Sequence, residues 1–178
     1  MSVKHVAFLR GINLGKRRVK NTQLQAVFES LGFDDVKALI ASGNVVFSAA
    51  EGDEATLTRE IEAALEAGLG FKVDTMLRSA DELQAMLASN PFKGIEVTKQ
   101  TRLYVTLLAE QTKPTLKLPY ASDDGHLRIL SRTDREVYSV LTVQNGARTV
   151  DLMAILDKEC GKRSTTRNWN TIVKAAAQ

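Results

Sequence analysis

The chain contains few of the residues that build covalent or metal cross-links: one cysteine, two histidines and three prolines among 178 residues. One cysteine excludes an internal disulfide, and with two histidines it cannot supply the four ligands of a structural zinc site. No apolar run approaches the roughly 18 residues of a membrane-spanning helix. We therefore expect a cytoplasmic globular protein that needs no metal or other cofactor and has no membrane partner.

Acidic and basic residues are unevenly distributed, although the net charge is only +3. Residues 1–28 contain six basic residues and no acidic one, residues 29–96 contain thirteen acidic and five basic residues, and residues 97–178 contain eight acidic and thirteen basic residues. If the two basic ends meet in space, they form one positive face that attracts phosphates or carboxylates. The alternative is that they neutralise the acidic middle, because charge runs are usually solvated faces.

Apolar periodicity in the first half predicts elements in the order β-α-β-β-α-β. The predicted strands are 3–9, 36–40, 45–47 and 71–77, and the predicted helices are 24–31 and 54–69, the second closed by Gly68 and Gly70. Ala41-Ser42-Gly43-Asn44 separates the two middle strands and favours a hairpin or a bent strand. This order is the split-βαβ plan, so we predict a ferredoxin-like unit over residues 1–78.

Residues 79–178 predict a second small αβ unit, which gives the whole chain an α+β fold. Ser79 and Glu82 have the spacing of a capping box, at the start of a helix that ends before Asn90-Pro91. The later elements are strands at 102–108, 127–130 and 137–143, the last two forming a hairpin, and helices at 151–156 and 169–177.

The most distinctive segment is residues 10–20, Arg-Gly-Ile-Asn-Leu-Gly-Lys-Arg-Arg-Val-Lys, which we call the basic loop. It follows a predicted strand, and its glycines and cations are the ingredients of a phosphate site, because backbone N–H groups and fixed cations together stabilise a dianion. A nucleotide-binding P-loop needs four residues between its glycines and then Lys followed by Ser or Thr. Here three residues separate Gly11 from Gly15, and Arg17 follows Lys16, so we exclude a P-loop triphosphatase.

A general anion-binding loop is the interpretation that we favour for the basic loop. The alternative is that its glycines only shape a turn and its cations are solvated. The candidate ligand contacts are Arg10, Gly11, Asn13, Gly15, Lys16 and Arg17.

Ser42-Gly43-Asn44 follows a neighbouring predicted strand and is expected near the same edge of the sheet. Asn44 is a candidate to hydrogen-bond a ligand. The alternative is a tight turn that needs Gly and Asn for backbone reasons alone.

The third candidate segment combines hydroxyl and basic residues in front of a predicted helix, where N–H groups and the helix dipole favour anions. Helix capping alone explains much of the same pattern. The candidate contacts are Arg163, Thr165, Thr166, Arg167 and Trp169. Trp169 has the ring to stack on a base, although a single Trp leading a terminal helix is more often a packing anchor.

Few residues fit a conventional catalytic set. His5 and His126 are the two imidazoles, and neither lies in a recognisable Ser/His/Asp or Cys/His pattern. Cys160 lies near Lys158 and Lys162, which would lower its pKa if they contact it. Asp123-Asp124 precedes a glycine and is explained more simply as a turn than as a magnesium site.

Three motifs together resemble a known family: Ala7-Phe8-Leu9-Arg10-Gly11-Ile12-Asn13-Leu14-Gly15, Ser42-Gly43-Asn44-Val45-Val46-Phe47 and Thr165-Thr166-Arg167-Asn168-Trp169-Asn170-Thr171. The chain is similar over nearly its whole length to the bacterial domain-of-unknown-function family 1697. The resemblance implies two αβ parts of ferredoxin-like character and brings no activity, substrate or catalytic residue. The family's loop commonly continues with a second glycine after Gly15, whereas this chain has Lys16-Arg17-Arg18.

Three functions fit these observations. The first is a binding protein whose basic face, formed by the basic loop and residues 162–167, holds a nucleotide or nucleic acid. The second is a small metal-independent enzyme for an anionic substrate, with Arg10 and Arg167 orienting it and an acid or Asn44 assisting proton movement. The third is a protein-interaction module whose protein partner adds to a sheet edge. The sequence leaves the oligomeric state open.

Overall fold

The structure is a computed structural model that describes residues 1–40, 43–109, 116–144 and 151–178. Its elements are β1 (Ser2–Leu9), α1 (Asn21–Ser30), β2 (Asp34–Leu39), β3 (Asn44–Ala50), α2 (Glu54–Leu69), β4 (Thr75–Ser79), α3 (Ala80–Ala88), β5 (Thr101–Leu108), β6 (Tyr120–Ala121), β7 (Leu127–Arg132), β8 (Glu136–Thr142), α4 (Leu152–Cys160), β9 (Ser164–Asn168) and α5 (Trp169–Ala176). Helices make up 32% and strands 33% of the described residues, and the predicted α+β class is confirmed.

The chain divides into two compact units, residues 1–85 with 174–178, and residues 86–173. The predicted boundary between residues 78 and 79 stays a prediction.

The first unit contains a four-stranded sheet in the order β2-β3-β1-β4, and every neighbouring pair is antiparallel. The predicted β-α-β-β-α-β order is observed, and β2 and β3 form a hairpin rather than one bent strand. The ferredoxin-like character stays a prediction. Strand β4 begins at Thr75, later than predicted, because its register with β1 starts at the pair of Leu9 and Thr75.

Both α1 and α2 pack on one face of this sheet, since alternate residues of β1 and β3 share a core with residues of both helices. Three rings lie at its centre: Phe28 is 5.2 Å and Phe33 is 4.7 Å from Phe47, centroid to centroid. Helix α2 has the predicted bounds. Gly70 ends it with a left-handed φ of 82°, whereas Gly68 lies inside the helix, so the prediction that Gly68 also closes it is wrong.

The second unit contains a five-stranded antiparallel sheet in the order β6-β7-β8-β5-β9. Strands β7 and β8 form the predicted hairpin. Helix α4 covers one face, where Leu152, Leu156 and Cys160 pack with Leu127 and Ile129. Phe92 forms edge-to-face contacts with Tyr138 and Trp169, at centroid distances of 5.9 and 5.2 Å.

Strand β9 is absent from the sequence prediction, which placed a helix N-terminus at residues 163–167. Thr165, Thr166 and Arg167 instead pair with β5, opposite Leu107, Thr106 and Val105. The sequence did not predict β9 because its residues are polar and do not alternate with apolar ones. Its pairing also depends on β5, which lies more than 50 residues earlier in the chain. The helix begins only at Trp169.

Candidate functional site

The basic loop connects β1 to α1 in the first unit and is fixed to the core by two side chains. Ile12 and Val19 are buried, whereas the residues from Leu14 to Arg18 are exposed. Gly11, Asn13 and Gly15 all have left-handed backbone conformations, with φ of 77°, 59° and 59°. Glycine adopts this conformation freely and Asn tolerates it, which is why this sequence forms so tight a loop.

Hydrogen bonds within the basic loop hold its backbone in one shape. Asn13 Oδ1 accepts a hydrogen bond from the Val19 N–H at 2.8 Å. Arg18 Nη1 lies 3.0 Å from the carbonyl oxygens of both Gly15 and Arg17, and 3.3 Å from that of Asn13. The Arg18 guanidinium is therefore occupied by loop carbonyls, and Asn13 acts through its backbone and side chain as a structural residue of the loop.

Lys16 and Arg17 differ from Arg18 in what their side chains contact. Both are exposed, and within the described part of the chain neither cationic group has a hydrogen-bond or ion-pair partner. The Arg17 guanidinium carbon lies 4.3 Å from the ring centroid of Phe71. That distance is typical of a cation–π contact, so Phe71 holds Arg17 in place without neutralising its charge.

Two further segments lie against the start of the basic loop. The Leu9 N–H donates to the Gly43 carbonyl at 2.8 Å, and the Arg10 N–H donates to the Asp74 carbonyl at 2.9 Å. Gly43 also packs closely on Ile12, since a Cβ built at position 43 would lie 2.9 Å from that of Ile12. The β2–β3 turn and the segment before β4 therefore meet the basic loop at one end of the sheet.

Asn44 is the first residue of β3, and its side chain is fully buried. Its Nδ2 donates to the Leu39 carbonyl at 3.2 Å and so closes the hairpin. The left-handed conformation that we expected near Gly and Asn occurs at Ile40 and Gly43, with φ of 53° and 76°. Ser42 lies outside the described residues.

In the second unit, the candidate residues around β9 have structural partners. Thr165 and Arg167 lie on one face of the strand and are buried, and Arg167 Nη1 donates to Thr165 Oγ1 at 2.6 Å. Thr166 lies on the other face, with its Oγ1 2.7 Å from that of Thr106. Burial lowers the pKa of Arg167 to about 10.

Arg163 and Trp169 flank β9. The Arg163 side chain is exposed, and its carbonyl accepts a hydrogen bond from the Ala109 N–H at 3.0 Å. Trp169 is half-buried and contacts Phe92, which fits the packing anchor that we gave as the alternative to a base-stacking ring.

The family model for DUF1697, described as a protein of unknown function, matches residues 2–138. The chain belongs to this family. The match contains the first two of the three motifs, and the third, at residues 165–171, lies beyond it. The resemblance inferred from the motifs is confirmed.

The fold of this DUF1697 member is similar to a solved structure, that of the conserved bacterial protein SP0830 from Streptococcus pneumoniae. The two chains share 18% sequence identity with a TM-score of 0.76, over 99% of this chain and 98% of the other. At that identity the likeness establishes the fold alone. A comparison with curated proteins gave no match.

Cys160 and Asp124 are two side chains of this DUF1697 member that the sequence analysis considered for catalysis and for a magnesium site. Burial and the nearby Glu159 raise the pKa of Cys160, with Arg132 opposing them, so the expectation of a lowered pKa is wrong. Asp124 accepts hydrogen bonds from Ser122 Oγ and the His126 N–H, as a turn residue does. Among the described residues, no cluster of three or more His, Cys, Asp or Glu side chains is arranged to hold a metal ion. No helix in the same residues has the length and hydropathy to cross a membrane.

Phe71 is a residue of the site that the sequence reasoning missed. It was assigned to a strand, yet it lies just before β4 and contacts a cation 54 positions earlier in the chain. Its place directly after Gly70, which ends α2, was the available signal, because an apolar residue after a helix-ending glycine often packs back on the last turn of the helix.

Proposed function

We propose that the protein is a cytoplasmic binding protein and that its basic loop binds a phosphate-bearing ligand, a nucleotide or a nucleic acid. One observation carries the proposal: Lys16 and Arg17 are adjacent exposed cations without a hydrogen-bond or ion-pair partner among the described residues. Cations of this kind gain most from an added anion, because no protein acid has to be displaced first.

The rigidity of the loop supports the same proposal. Asn13 and Arg18 fix the backbone before any ligand arrives, so little conformational entropy is lost when an anion binds. Left-handed conformations at Gly11, Asn13 and Gly15 alternate with ordinary ones at the residues between them. Alternation of this kind is typical of the backbone nests of N–H groups that bind anions. The proposed contacts are therefore the side chains of Lys16 and Arg17 and the backbone of residues 11–15.

The proposed site does not use every residue that we selected from the sequence. Asn44, Thr165 and Arg167 are buried and bonded to other protein groups, so we assign them structural roles. A partner strand at the β2 edge is not favoured, because the β2–β3 register shifts between Asp34 and Lys37 and Asp35 has a φ of 52°. Such an irregular, charged edge is typical of strands that resist further pairing.

The proposal is tested by titrating the full-length protein into fluorescent single-stranded and duplex oligonucleotides at about 50 and about 200 mM salt. Unlabelled ATP and inorganic pyrophosphate serve as competitors. We expect binding that weakens with salt and that both competitors reduce. The double variant Lys16→Ala/Arg17→Ala should bind at least about tenfold more weakly, since each hydrogen bond to a charged group contributes about 1.5–3 kcal/mol.

The matched control is Arg59→Ala, which removes an exposed arginine from the first half of α2. The start of β3 lies beside the basic loop, and α2 follows the other end of that strand. The affinity of Arg59→Ala for the oligonucleotides should therefore equal that of the unchanged protein. If the control lost about half as much binding free energy as the double variant, affinity would depend on net charge alone, because Arg59→Ala removes one positive charge and the double variant removes two. Absence of binding by any probe at the lower salt concentration would refute the proposed function, and turnover in a screen of anionic metabolites would favour the enzyme instead.

A further inference from the structure

The contact between Arg17 and Phe71 gives the basic loop a flat surface as well as a charge. The guanidinium carbon lies 4.3 Å from the ring centroid, and the Arg17 side chain is exposed to solvent. Phe71 in turn packs on the core beside the two helices. A guanidinium supported on one side by an aromatic ring presents its other side to solvent, where a planar group stacks well.

Exposed apolar side chains lie in the same part of the unit. Leu14, within the basic loop, is 66% exposed, and Ile40, in the turn whose Gly43 packs on Ile12, is 45% exposed. Ile40 also has a left-handed φ of 53°, which is unfavourable for a β-branched residue. An inorganic phosphate would leave these apolar groups unused, whereas an unstacked base contacts apolar and aromatic surfaces.

We propose that the ligand of the basic loop is a single strand of nucleic acid, with one base stacked on Arg17 over Phe71 and the neighbouring phosphates on Lys16 and the loop backbone. This inference rests on the proposed function and adds the ligand class. A duplex fits the site poorly, because its base faces are already stacked on each other and only the base edges are accessible. A single strand has free base faces and bends around an exposed loop.

The variant Arg17→Lys separates stacking from charge, because lysine keeps the positive charge and loses the planar guanidinium. We expect its affinity for single-stranded oligodeoxythymidylate to fall at least about fivefold, the lower end of the loss of one stacked base. Its affinity for inorganic polyphosphate, measured by competition, should stay within about twofold of the unchanged protein, since point charges dominate that contact. Arg59→Lys is the control, because it makes the same replacement of arginine by lysine at an exposed position of α2. It should leave both affinities unchanged.

A second variant, Phe71→Leu, removes the aromatic support and keeps an apolar side chain at the core. It should lose affinity for the oligonucleotide and keep its affinity for polyphosphate. Thermal unfolding of the same samples shows whether the variant is folded. If Arg17→Lys binds the oligonucleotide as well as the unchanged protein while Lys16→Ala/Arg17→Ala does not, stacking is refuted and the phosphate site stands. Tighter binding of duplex than of single strand also overturns the inference. If neither oligonucleotide nor polyphosphate binds, the proposed function fails as well.

Discussion

Gly68 of α2 lies so close to Val27 of α1 that a Cβ at position 68 would be 2.8 Å from Val27 Cγ2. Val27 is buried, and its β-branched side chain has little freedom to move aside within a helix. The two helices therefore depend on a glycine at their contact, although glycine inside a helix costs about 1 kcal/mol relative to alanine.

The variant Gly68→Ala should lower the free energy of unfolding by up to about 2 kcal/mol, because overpacking costs about 1–3 kcal/mol and the gain in helix propensity offsets about 1 kcal/mol. In a Val27→Ala background the clash is absent, so the same change should be stabilising. Urea denaturation of all four proteins measures both effects. An equal destabilisation in both backgrounds would show that the helix contact is not the cause.

The variant Gly43→Ala should be more destabilising than Gly15→Ala, although both glycines have a left-handed φ. At position 43 a Cβ would also lie 2.9 Å from that of Ile12, whereas at position 15 it meets nothing within 4 Å. Gly15→Ala then carries the conformational cost alone, about 1–2 kcal/mol, and Gly43→Ala adds overpacking to it. Chemical denaturation checks the order of the two values, and similar losses would argue against close packing at Gly43.

The sequence predicted α2 and most strands well because the signal of each lies within a short stretch: α2 repeats apolar residues at helical spacing, and β8 is a short run that is buried continuously. The capping box at α3 was equally local: Ser79 Oγ accepts from the Glu82 N–H at 3.2 Å, and Glu82 Oε2 accepts from the Ser79 N–H at 2.7 Å. Such features depend on residues a few positions apart. They are therefore readable from a single sequence.

The errors concern residues whose surroundings come from distant parts of the chain. Arg167 has the composition of a surface cation, and its burial arises from pairing with β5 and from the packing around that sheet. Arg17 and Arg18 are adjacent and chemically identical, yet one contacts Phe71 and the other binds loop carbonyls. Composition located the basic loop, and the contacts of the folded loop separate the two roles.

The Cys160 thiol should react slowly in the folded protein. Burial raises its pKa, as do Glu159 and Asp157, so little thiolate is available at neutral pH. We expect iodoacetamide to alkylate it much faster after unfolding in urea than in the native state, as followed by intact-mass spectrometry. Because the native state holds this proton more tightly than the unfolded state, stability contributed by Cys160 is lost as pH rises above the ordinary thiol range. Equal alkylation rates in both states would contradict the burial.

His5 should make the protein less stable in acid. Burial lowers its pKa, while Glu54 and Glu82 raise it and only partly compensate. The unfolded state then binds the proton more readily than the native state, so stability is lost as pH falls below about 6.5, toward the lower pKa of the folded form. His5 also stacks on Phe47 at a centroid distance of 5.5 Å, so replacing it has a cost at every pH.

The variant His5→Gln separates the two contributions, because glutamine does not titrate. Its free energy of unfolding relative to the unchanged protein should shift in its favour as pH falls from about 8 to about 5, since the unchanged protein alone pays for charging a half-buried imidazole. Urea denaturation at a series of pH values measures this difference. If it stays constant across the range, His5 makes no contribution to the acid sensitivity, and the loss of stability belongs to other groups.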